Sequence, residues 1–404
     1  MGRAHPGAGL SSAADGGTIP GPGTTPAGPD RWPPTSRWPE ALNRAVRALA
    51  AATHGRTLPL VGLSGGADSL ALAVAAAEAV RTRATPELAA GVGAVVVDHG
   101  LQPGSAGVAR RAAAVARALG LDPVVVERVD VPVTGAGPEA EARTVRHAAL
   151  DAAARRLGSG AVLLGHTRDD QAEQVLLGLA RGSGTRTLAG MPRRRGLLLR
   201  PLLDLTRQDT EAICRWVGLR WWEDPANEDP AYLRSRIRTC VLPTLEDPDR
   251  GLGPGLTAAL ARSADIAAED AAALETWAGR EFARLRQDDQ VEREAGEAPG
   301  LRPASCPVSL PMEELAALPD AIRYRVISSA VVAAGGERPS RERVLAVDRL
   351  VATRSTGGSS AGPVELAGGV VSHRRTAGGY ARLVLSAVTP FSPIRTGPAE
   401  GAIP

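Results

Sequence analysis

A short glycine-containing stretch lies between a predicted strand, residues 58–63, and a predicted helix that begins near Leu70. Successive backbone N–H groups in such a loop, together with the positive end of the following helix, favour a bound phosphate anion. Glycine permits a positive φ and lets an anion approach the backbone closely. The alternative is an ordinary turn between a strand and a helix, capped by a serine. The stretch consists of Ser64, Gly65, Gly66, Ala67, Asp68 and Ser69.

A second polar group, residues 166–173, also follows a predicted strand and opens a predicted helix. Asp170 and Glu173 are three residues apart, so on a helix they share one face and can approach one Mg²⁺ ion or a substrate ammonium. The alternative is local stabilisation, because Thr167 is a good N-cap and acids in a first turn favour the helix dipole. Asp98 stands at the end of another predicted strand. It lies either beside the same crevice as the glycine-containing stretch at residues 64–69 or in a simple turn.

All 47 basic residues are arginine, since the sequence contains no lysine. A Walker-type phosphate loop, a protein-kinase site and Schiff-base catalysis are therefore excluded, because each needs a lysine. The net charge of +3 is small, so any nucleic-acid surface is expected to be local. Residues 181–200 hold six arginines and no acid, which indicates a positive face or a solvated loop. The arginines of interest there and further along are Arg193, Arg194, Arg195, Arg234, Arg236 and Arg238. For the last three the default interpretation is the charged face of a helix, although the planar guanidinium also suits a phosphate.

Predicted strands and helices alternate regularly after an amphipathic helix at residues 39–54. Such alternation predicts an α/β fold with a doubly wound parallel sheet, and ligands at the carboxyl ends of its strands. A short strand at 197–203 and a helix at 206–217 are expected to follow. The alternating strands are predicted at residues 58–63, 91–97, 123–129 and 161–165, and the helices at 70–83, 108–119, 138–157 and 169–180.

The composition divides the chain into four expected segments. Residues 1–35 are rich in glycine and proline and poor in large apolar side chains, which predicts a disordered tail. Helices are expected at 257–286 and 312–351, with a polar linker at 287–303, and short β segments at 364–366 and 381–385. The expected segments are the tail at 1–35, an α/β domain at 36–250, a helical domain at 251–350, and a small β element with an unstructured tail at 351–404.

The three cysteines, Cys214, Cys240 and Cys306, form no Cys-x-x-Cys pair. This argues against a zinc ribbon, a cluster or a redox dithiol, and it favours a reducing cytoplasm. Glu78 interrupts the best candidate for an apolar span, residues 70–80, and the first residues lack the design of a signal peptide. We therefore expect a cytoplasmic protein without a membrane partner.

These residues resemble the N-type ATP pyrophosphatases and, within that superfamily, the family of tRNA(Ile)-lysidine synthetases. The blocks cover residues 58–245, and the remainder of the chain matches only loosely. The block at residues 166–184, which ends in Arg-Gly-Ser-Gly, is the most specific. The five blocks are residues 64–69, residues 97–101, Glu141 with Arg143 and Arg146, residues 166–184, and residues 200–238.

The resemblance implies a reaction in two steps. ATP would adenylate the carbonyl oxygen on carbon 2 of the wobble cytidine in an isoleucine tRNA with a CAU anticodon, releasing pyrophosphate. The ε-amine of free lysine would then displace AMP. The resemblance also makes the α/β domain the ATP-binding catalytic domain and the helical domain a tRNA-binding domain.

The resemblance implies a role for each candidate residue. Residues 64–69 would hold the phosphates, Asp68 and Asp170 would place Mg²⁺, and Asp98 would lie beside the nucleotide. Asp170 and Glu173 would position the lysine ammonium and aid its deprotonation. Arg146 would steady the charge of the activated intermediate. The arginines at 193–195 and at 234, 236 and 238 would contact tRNA phosphates.

Some positions depart from the family pattern, and other functions remain as alternatives. Gln102, His147, Ala226 and Ser235 differ from the usual residues in their blocks, which bears on the tRNA and lysine contacts. A tRNA cytidine thiolase would need cysteine pairs, and GMP or NAD synthetases lack the Arg-Pro-Leu-Leu block. A non-catalytic nucleotide- or RNA-binding module would not need the three acids together. The sequence leaves the oligomeric state open, with a homodimer as one option.

Overall fold

The computed structural model of the protein describes residues 32, 34–100, 104–132, 138–182, 184–294, 308–352, 363–377 and 380–387. The predicted disordered tail lies almost wholly outside these residues, as do the predicted unstructured end, residues 295–303 of the predicted linker, and Gln102. The chain divides into two compact units, one up to Ala268 and one from Glu269.

Six strands form the sheet of the first unit: β1 (Leu60–Leu63), β2 (Gly93–Asp98), β3 (Val124–Arg128), β4 (Val162–Leu164), β5 (Arg194–Arg195) and β6 (Leu198–Leu199). Their spatial order is β3-β2-β1-β4-β6-β5. The first five strands in this order run parallel, and β5 is antiparallel to β6. The predicted α/β class with a parallel sheet is confirmed. The strand predicted at 197–203 is shorter than expected, because the chain turns directly after Leu199.

Helices join these strands and follow them along the chain. A π-helical turn, Ile237–Val241, continues the helical path of residues 233–246, where a charged helix face is expected from the sequence at residues 234–238. The helices are α1 (Glu40–Thr53), α2 (Ala67–Arg81), α3 (Pro86–Ala89), α4 (Ser105–Ala118), α5 (Pro138–Arg156), α6 (Arg168–Ala180), α7 (Thr185–Leu188), α8 (Arg207–Trp216), α9 (Leu233–Arg236), α10 (Leu242–Glu246) and α11 (Leu256–Glu294).

The core of the first unit lies on both faces of its sheet, because helices cover both sides of the strands. Val61 and Leu63 of β1 pack with α1, α2, α4 and α8 on one face. Leu60 packs on the other face with Leu150 and Ala153 of α5. Each fully buried leucine contributes about 1.5–3 kcal/mol, so the strand ends are fixed on a well-packed scaffold.

A crevice is expected where the chain leaves β1 and β4, because this is the point at which the strand order reverses. The order continues from β1 to β2 and β3 on one side, and from β4 to β6 on the other. Doubly wound folds bind ligands at such a point, outside the carboxyl ends of the strands. Residues 64–69 follow β1 and residues 165–167 follow β4. Both predicted motifs therefore lie at this point.

The second unit combines the later part of α11 with three further helices and a four-stranded antiparallel sheet. Val326 and Ile327 pack with Leu383 and Leu385 in its core. Among the helices that the structure describes, none has both the length and the hydropathy needed to cross a membrane. The remaining elements are β7 (Val308–Pro311), α12 (Met312–Ala317), α13 (Asp320–Ala333), α14 (Arg341–Ala352), β8 (Val364–Leu366), β9 (Val370–Ala377) and β10 (Tyr380–Ala387).

The structure differs from the prediction at three places near and within the second unit. The expected linker start at residue 287 is wrong, because residues 287–294 contain neither glycine nor proline and α11 continues through them. The helical stretch at 312–351 is three helices, interrupted before Pro319 and after α13, where Gly335 has φ +92°. The β element contains two strands that the pattern did not indicate, β7 and β9, because their pairing with β10 is a tertiary feature.

Candidate active site

The loop after β1 has the form expected of a phosphate site. Gly65 has φ +90°, a left-handed conformation that glycine adopts without strain. The hydroxyl oxygens of Ser64 and Ser69 lie 3.1 Å apart, and the Ser69 hydroxyl donates to the Gly66 carbonyl at 3.0 Å. Helix α2 begins at Ala67 with Gly66 as its N-cap and no side chain capping it. The N-terminus of a 15-residue helix therefore adjoins the loop without a serine cap.

Gly165 is the point at which the loop after β4 meets the start of α2. A Cβ atom on this residue would lie 2.7 Å from the backbone carbonyl oxygen of Asp68 and 3.0 Å from the backbone nitrogen of Ser69. Backbone atoms cannot give way easily at such distances, so glycine is required here. The two predicted motifs are thus held against each other by their backbones.

Asp68 lies in the first turn of α2 and contacts helix α8. Its Oδ1 accepts a hydrogen bond from the Thr210 hydroxyl at 2.5 Å, and its Oδ2 accepts one from Arg207 Nη2 at 3.3 Å. Burial raises the pKa of Asp68 to about 6; Arg207 and the Thr210 hydroxyl lower it, and the charge of Asp170 raises it further. The carboxylate is therefore desolvated without full compensation of its charge.

Arg207 and Thr210 did not emerge from the sequence as candidates, although a signal for them exists. A capping box formed by Thr206 and Asp209 begins α8. It places residues 207 and 210 three apart in the first turns, on one face of the helix. The start of this helix also lies against α6, since the Arg207 backbone N–H donates to Asp169 Oδ2 at 2.9 Å.

Asp170 and Glu173 lie on α6 as predicted, and both are buried against arginines that were expected to bind tRNA. The Glu173 carboxylate accepts hydrogen bonds from Arg234 Nε at 2.7 Å and from Arg238 Nε at 2.6 Å. Asp170 Oδ1 accepts from Nη2 of Arg234 at 3.0 Å and of Arg238 at 3.4 Å. We call Asp170, Glu173, Arg234 and Arg238 the acid–arginine cluster; its formal charges cancel.

Asp170 also stabilises the start of its own helix. Its Oδ2 accepts the Thr167 backbone N–H at 2.9 Å, which completes a capping box. Burial favours the neutral acid, but the attraction of Arg234 and Arg238 and the Thr167 hydrogen bond outweigh it. The pKa of Asp170 is therefore held well below its usual range. Local stabilisation, the alternative for this motif, is real and coexists with the contacts to the arginines.

A second group of charged residues surrounds Arg200, which is buried. Burial lowers the pKa of Arg200 to about 10, and the neighbouring Arg143, Arg195 and Arg146 lower it further. Burial likewise lowers the pKa of His147 to about 4, together with the charges of Arg146 and Arg143. We call this group the cationic cluster. It consists of Arg143, Arg146, His147, His166, Arg195 and Arg200.

Buried nitrogen atoms without a hydrogen-bond partner in the described part of the chain include Arg200 Nε, His147 Nε2 and His166 Nδ1. Burial also lowers the pKa of His166, so both imidazoles are neutral near neutral pH. The residues of the cationic cluster include His166 in the loop after β4 and Arg146 on α5, the arginine predicted from the sequence. The cationic cluster therefore presents positive charge beside the acid–arginine cluster.

Asp98 is the last residue of β2, next to β1 in the sheet. Its side chain is buried, and Oδ1 accepts the backbone N–H of Gly100 at 3.2 Å. The carboxylate thus closes a turn, which was the alternative for this residue. It also lies at the same edge of the sheet as residues 64–69.

The arginines expected to bind tRNA have different surroundings. Arg194, Arg195 and Arg236 are exposed. Arg193 forms a bidentate ion pair with Asp204, in which Nη2 lies 2.7 Å from Oδ1 and Nη1 lies 2.8 Å from Oδ2. Arg234 and Arg238 belong to the acid–arginine cluster. Arg194, Arg195 and Arg236 are therefore accessible to a phosphate group, whereas Arg234 and Arg238 are directed toward carboxylates.

Asp68 is the residue whose surroundings suit a divalent cation. Its desolvated carboxylate has one partly exposed arginine as a charge partner, and hard cations bind carboxylate oxygen together with phosphate oxygen and water. The oxygens of Asp170 already accept four hydrogen bonds, so a metal ligand there would have to displace a donor. Within the described residues, no group of three or more His, Cys, Asp or Glu side chains forms a complete metal cage.

Comparison with known proteins agrees with this geometry. A family model described as a PP-loop domain matches residues 39–245. The tRNA(Ile)-lysidine synthase of Leifsonia xyli subsp. xyli is 50% identical over 295 residues, which cover 73% of this chain and 82% of that protein.

Two further relatives show the same extent of similarity. The tRNA(Ile)-lysidine synthase of Thermobifida fusca is 47% identical over 322 residues, covering 79% of this chain and 90% of that protein. The protein of the same name from Streptomyces coelicolor is 46% identical over 323 residues, covering 79% and 83%. With the phosphate loop, the acids of α6 and these similarities together, the chain belongs to the tRNA(Ile)-lysidine synthase family of PP-loop proteins.

Proposed function

We propose that this protein uses ATP to join free lysine to carbon 2 of the wobble cytidine of an isoleucine tRNA with a CAU anticodon, forming lysidine. Membership of the family supports this function. The observation that carries it is the contact at Gly165, which brings the phosphate loop and the acidic motif of α6 to one point of the sheet. Because ATP, tRNA and free lysine are cytoplasmic, we propose that compartment.

In the first step, the carbonyl oxygen on carbon 2 attacks the α-phosphorus of ATP. The bond between the α-phosphorus and the oxygen that bridges to the β-phosphate breaks, and pyrophosphate leaves with the bonding electrons. Residues 64–69 would hold this leaving group with backbone N–H groups and the end of α2. Asp98 would lie beside the nucleotide. Asp68 would hold Mg²⁺, which neutralises phosphate charge when bound.

In the second step, the lysine Nζ attacks carbon 2, the bond from that carbon to the adenylated oxygen breaks, and AMP leaves with this oxygen. The lysine ammonium gives one proton to solvent water before the attack, and the attacking nitrogen gives a second one to water after the C–N bond forms. Asp170 and Glu173 would hold the lysine ammonium beforehand, in place of one guanidinium contact of the acid–arginine cluster. The lowered pKa of Asp170 makes it a weak proton acceptor, which favours a positioning role over a role as base.

The cationic cluster supports the role proposed for Arg146. Charge on the adenylated intermediate develops near the ends of β4 and β6, where Arg200 and its neighbours supply positive charge with little water. Fixed charges in such a site stabilise a developing charge without reorganisation. Arg146 would steady the intermediate from α5.

Phosphate contacts of tRNA are proposed for the exposed arginines Arg194, Arg195 and Arg236, and for Arg193 beside its ion pair. Arg234 and Arg238 would reach tRNA only by leaving the acid–arginine cluster. Such contacts supply affinity that depends strongly on salt and carry no sequence information by themselves.

The test is incorporation of labelled lysine into an isoleucine tRNA transcript with a CAU anticodon. We expect incorporation that requires ATP and Mg²⁺ and yields AMP and pyrophosphate. A transcript with the wobble cytidine replaced by uridine should accept no lysine. Equal incorporation into both transcripts, or none into either, would refute the proposal.

A tRNA thiolase is the nearest alternative, and the described cysteines do not favour it. Cys214 is buried, burial raises its pKa to about 12, and its thiol donates to the Ala67 carbonyl. Cys240 is exposed and far along the chain from it. Neither forms a pair suited to a cluster or to sulfur transfer.

A further inference from the structure

We propose that Thr210 is a positioning residue that holds one carboxylate oxygen of Asp68, so that the other oxygen, Oδ2, is presented to the divalent cation of the Mg²⁺–ATP complex. This inference rests on the proposed role of Asp68 as the residue that holds Mg²⁺. It assigns a function to helix α8. No sequence motif predicted that this helix lies beside the phosphate loop.

The contact between Thr210 and Asp68 is the firmer of the two that this carboxylate makes. Thr210 is fully buried, and its hydroxyl lies 2.5 Å from Asp68 Oδ1. The same hydroxyl oxygen lies 2.8 Å from the Arg207 carbonyl, so its position is fixed by its own helix as well as by Asp68. A threonine hydroxyl has a single hydrogen, and the shorter distance and the charge of the carboxylate favour its donation to Asp68 over the carbonyl.

The contact of the second oxygen is weaker. Arg207 Nη2 lies 3.3 Å from Asp68 Oδ2, longer than the usual 2.7–2.9 Å of a charge-assisted hydrogen bond. The Arg207 side chain is 36% exposed, against 19% for Asp68, so it can leave toward solvent. Oδ2 is therefore the oxygen that an arriving cation can take over, and Arg207 is the charge that it replaces.

Helix α8 is anchored well enough to act as such a support. Arg44 of α1 pairs with Asp209 at 2.6 Å, and Asp209 caps the helix through Thr206. The Arg207 backbone N–H donates to Asp169 of α6 at 2.9 Å. The support thus connects α1, α2, α6 and α8.

The experiment compares Thr210→Val with Thr210→Ser in the full chain. Valine has nearly the shape of threonine but lacks the hydroxyl, whereas serine keeps it. Calorimetric titration with Mg²⁺–ATP in the absence of tRNA and lysine should show a dissociation constant about tenfold higher for Thr210→Val. Thr210→Ser should bind within about twofold of the wild type.

A matched control is available in α1. Thr53 is also fully buried on a helix, and its hydroxyl donates to the Leu49 carbonyl at 2.9 Å; within the described residues its hydrogen-bond partners are backbone carbonyls. Thr53→Val should leave the affinity for Mg²⁺–ATP unchanged. An equal loss in Thr53→Val and Thr210→Val, or no loss in Thr210→Val, would overturn the inference.

Removing the competing charge gives a second measurement. Arg207→Gln should lower the Mg²⁺ concentration that half-saturates ATP binding, because the cation no longer displaces a guanidinium. A higher concentration would overturn the assignment of Oδ2.

Asp68→Asn separates this inference from the proposed function: if it leaves Mg²⁺–ATP binding intact, the role of Asp68 itself fails. If Asp68→Asn abolishes binding while Thr210→Val does not change it, only the role of Thr210 fails.

Discussion

Asp68 is partly buried and Asp170 is buried, both in the first turn of a helix beside the same strand ends, yet their pKa values move in opposite directions. Burial raises the pKa of Asp68 to about 6, against the opposing effects of Arg207, the Thr210 hydroxyl and Arg238. Burial acts on Asp170 as well, but Arg234, Arg238 and a backbone N–H outweigh it and lower the pKa. Thus the number and placement of positive charges and donors around each carboxylate decide the direction in which its pKa shifts.

This contrast separates a carboxylate that can accept a cation from one whose charge is already compensated. Asp68 gains from an added positive charge, since its own surroundings favour the neutral acid. Asp170 loses if a partner is withdrawn, because the remaining charges of the acid–arginine cluster would stay buried without compensation.

Asp68→Asn should reduce lysine incorporation by on the order of 10³-fold, because the amide cannot bind a divalent cation in place of the carboxylate. Labelled lysine transferred to the tRNA transcript is the measurement. Asp151→Asn is the control, since Asp151 forms an exposed pair with Arg155 on α5. Near-normal incorporation by Asp68→Asn would show that this carboxylate is not needed.

Asp170→Asn should lower the free energy of unfolding by about 3 kcal/mol near neutral pH, because it leaves Arg234 and Arg238 with one buried acid for two charges. Urea denaturation in the absence of ligands measures this change. Asp151→Asn should change the same quantity by less than about 1 kcal/mol. If both variants unfolded like the wild type, the acid–arginine cluster would not be formed in solution.

The two aspartates should also differ in how they link stability to pH in Mg²⁺-free buffer. The folded state binds a proton on Asp68 more tightly than the unfolded state, so its contribution is full below pH 3.8 and lost as the pH rises through about 6. Asp68→Asn should therefore be more stable than the wild type at neutral pH, by up to about 3 kcal/mol.

Asp170 should show the reverse dependence. Its lowered pKa stabilises the folded state above pH 3.8, and this contribution is lost as the pH falls toward the pKa of the folded state. The deficit of Asp170→Asn should therefore shrink on acidification. Denaturation curves measured for both variants from acidic to neutral pH test this. Changes of the same sign in the two variants would contradict the contrast.

Arg236→Ala should weaken tRNA binding by less than about tenfold and reduce the slope of log affinity against log salt by about 1. Arg236 is exposed between the two buried arginines of the cluster, so its loss should change the free energy of unfolding by less than about 0.5 kcal/mol. Arg47, exposed on α1, provides the control, and Arg47→Ala should not alter the salt slope. An unchanged slope in Arg236→Ala would remove Arg236 from the tRNA surface.

The arginines of residues 234–238 show where sequence reasoning stops. Their spacing is readable, and Arg236 is exposed as a phosphate-binding residue should be. Arg234 and Arg238 are four residues apart and share one helix face, but their pairing with carboxylates depends on the approach of α6, whose residues lie about 60 positions earlier. A one-dimensional pattern does not encode such a pairing.

The sequence by itself determined the family, the α/β sheet and the place of the chemical motifs at strand ends, because periodicity and glycine-containing loops are local signals. The tertiary structure alone decided which charges neutralise one another. It placed Thr210 and Arg207 on Asp68, 142 and 139 residues away in the chain, and it closed the acid–arginine cluster. Electrostatic environment is a sum over neighbours in space, so a motif shows which groups are present and only the fold shows which of them remain available.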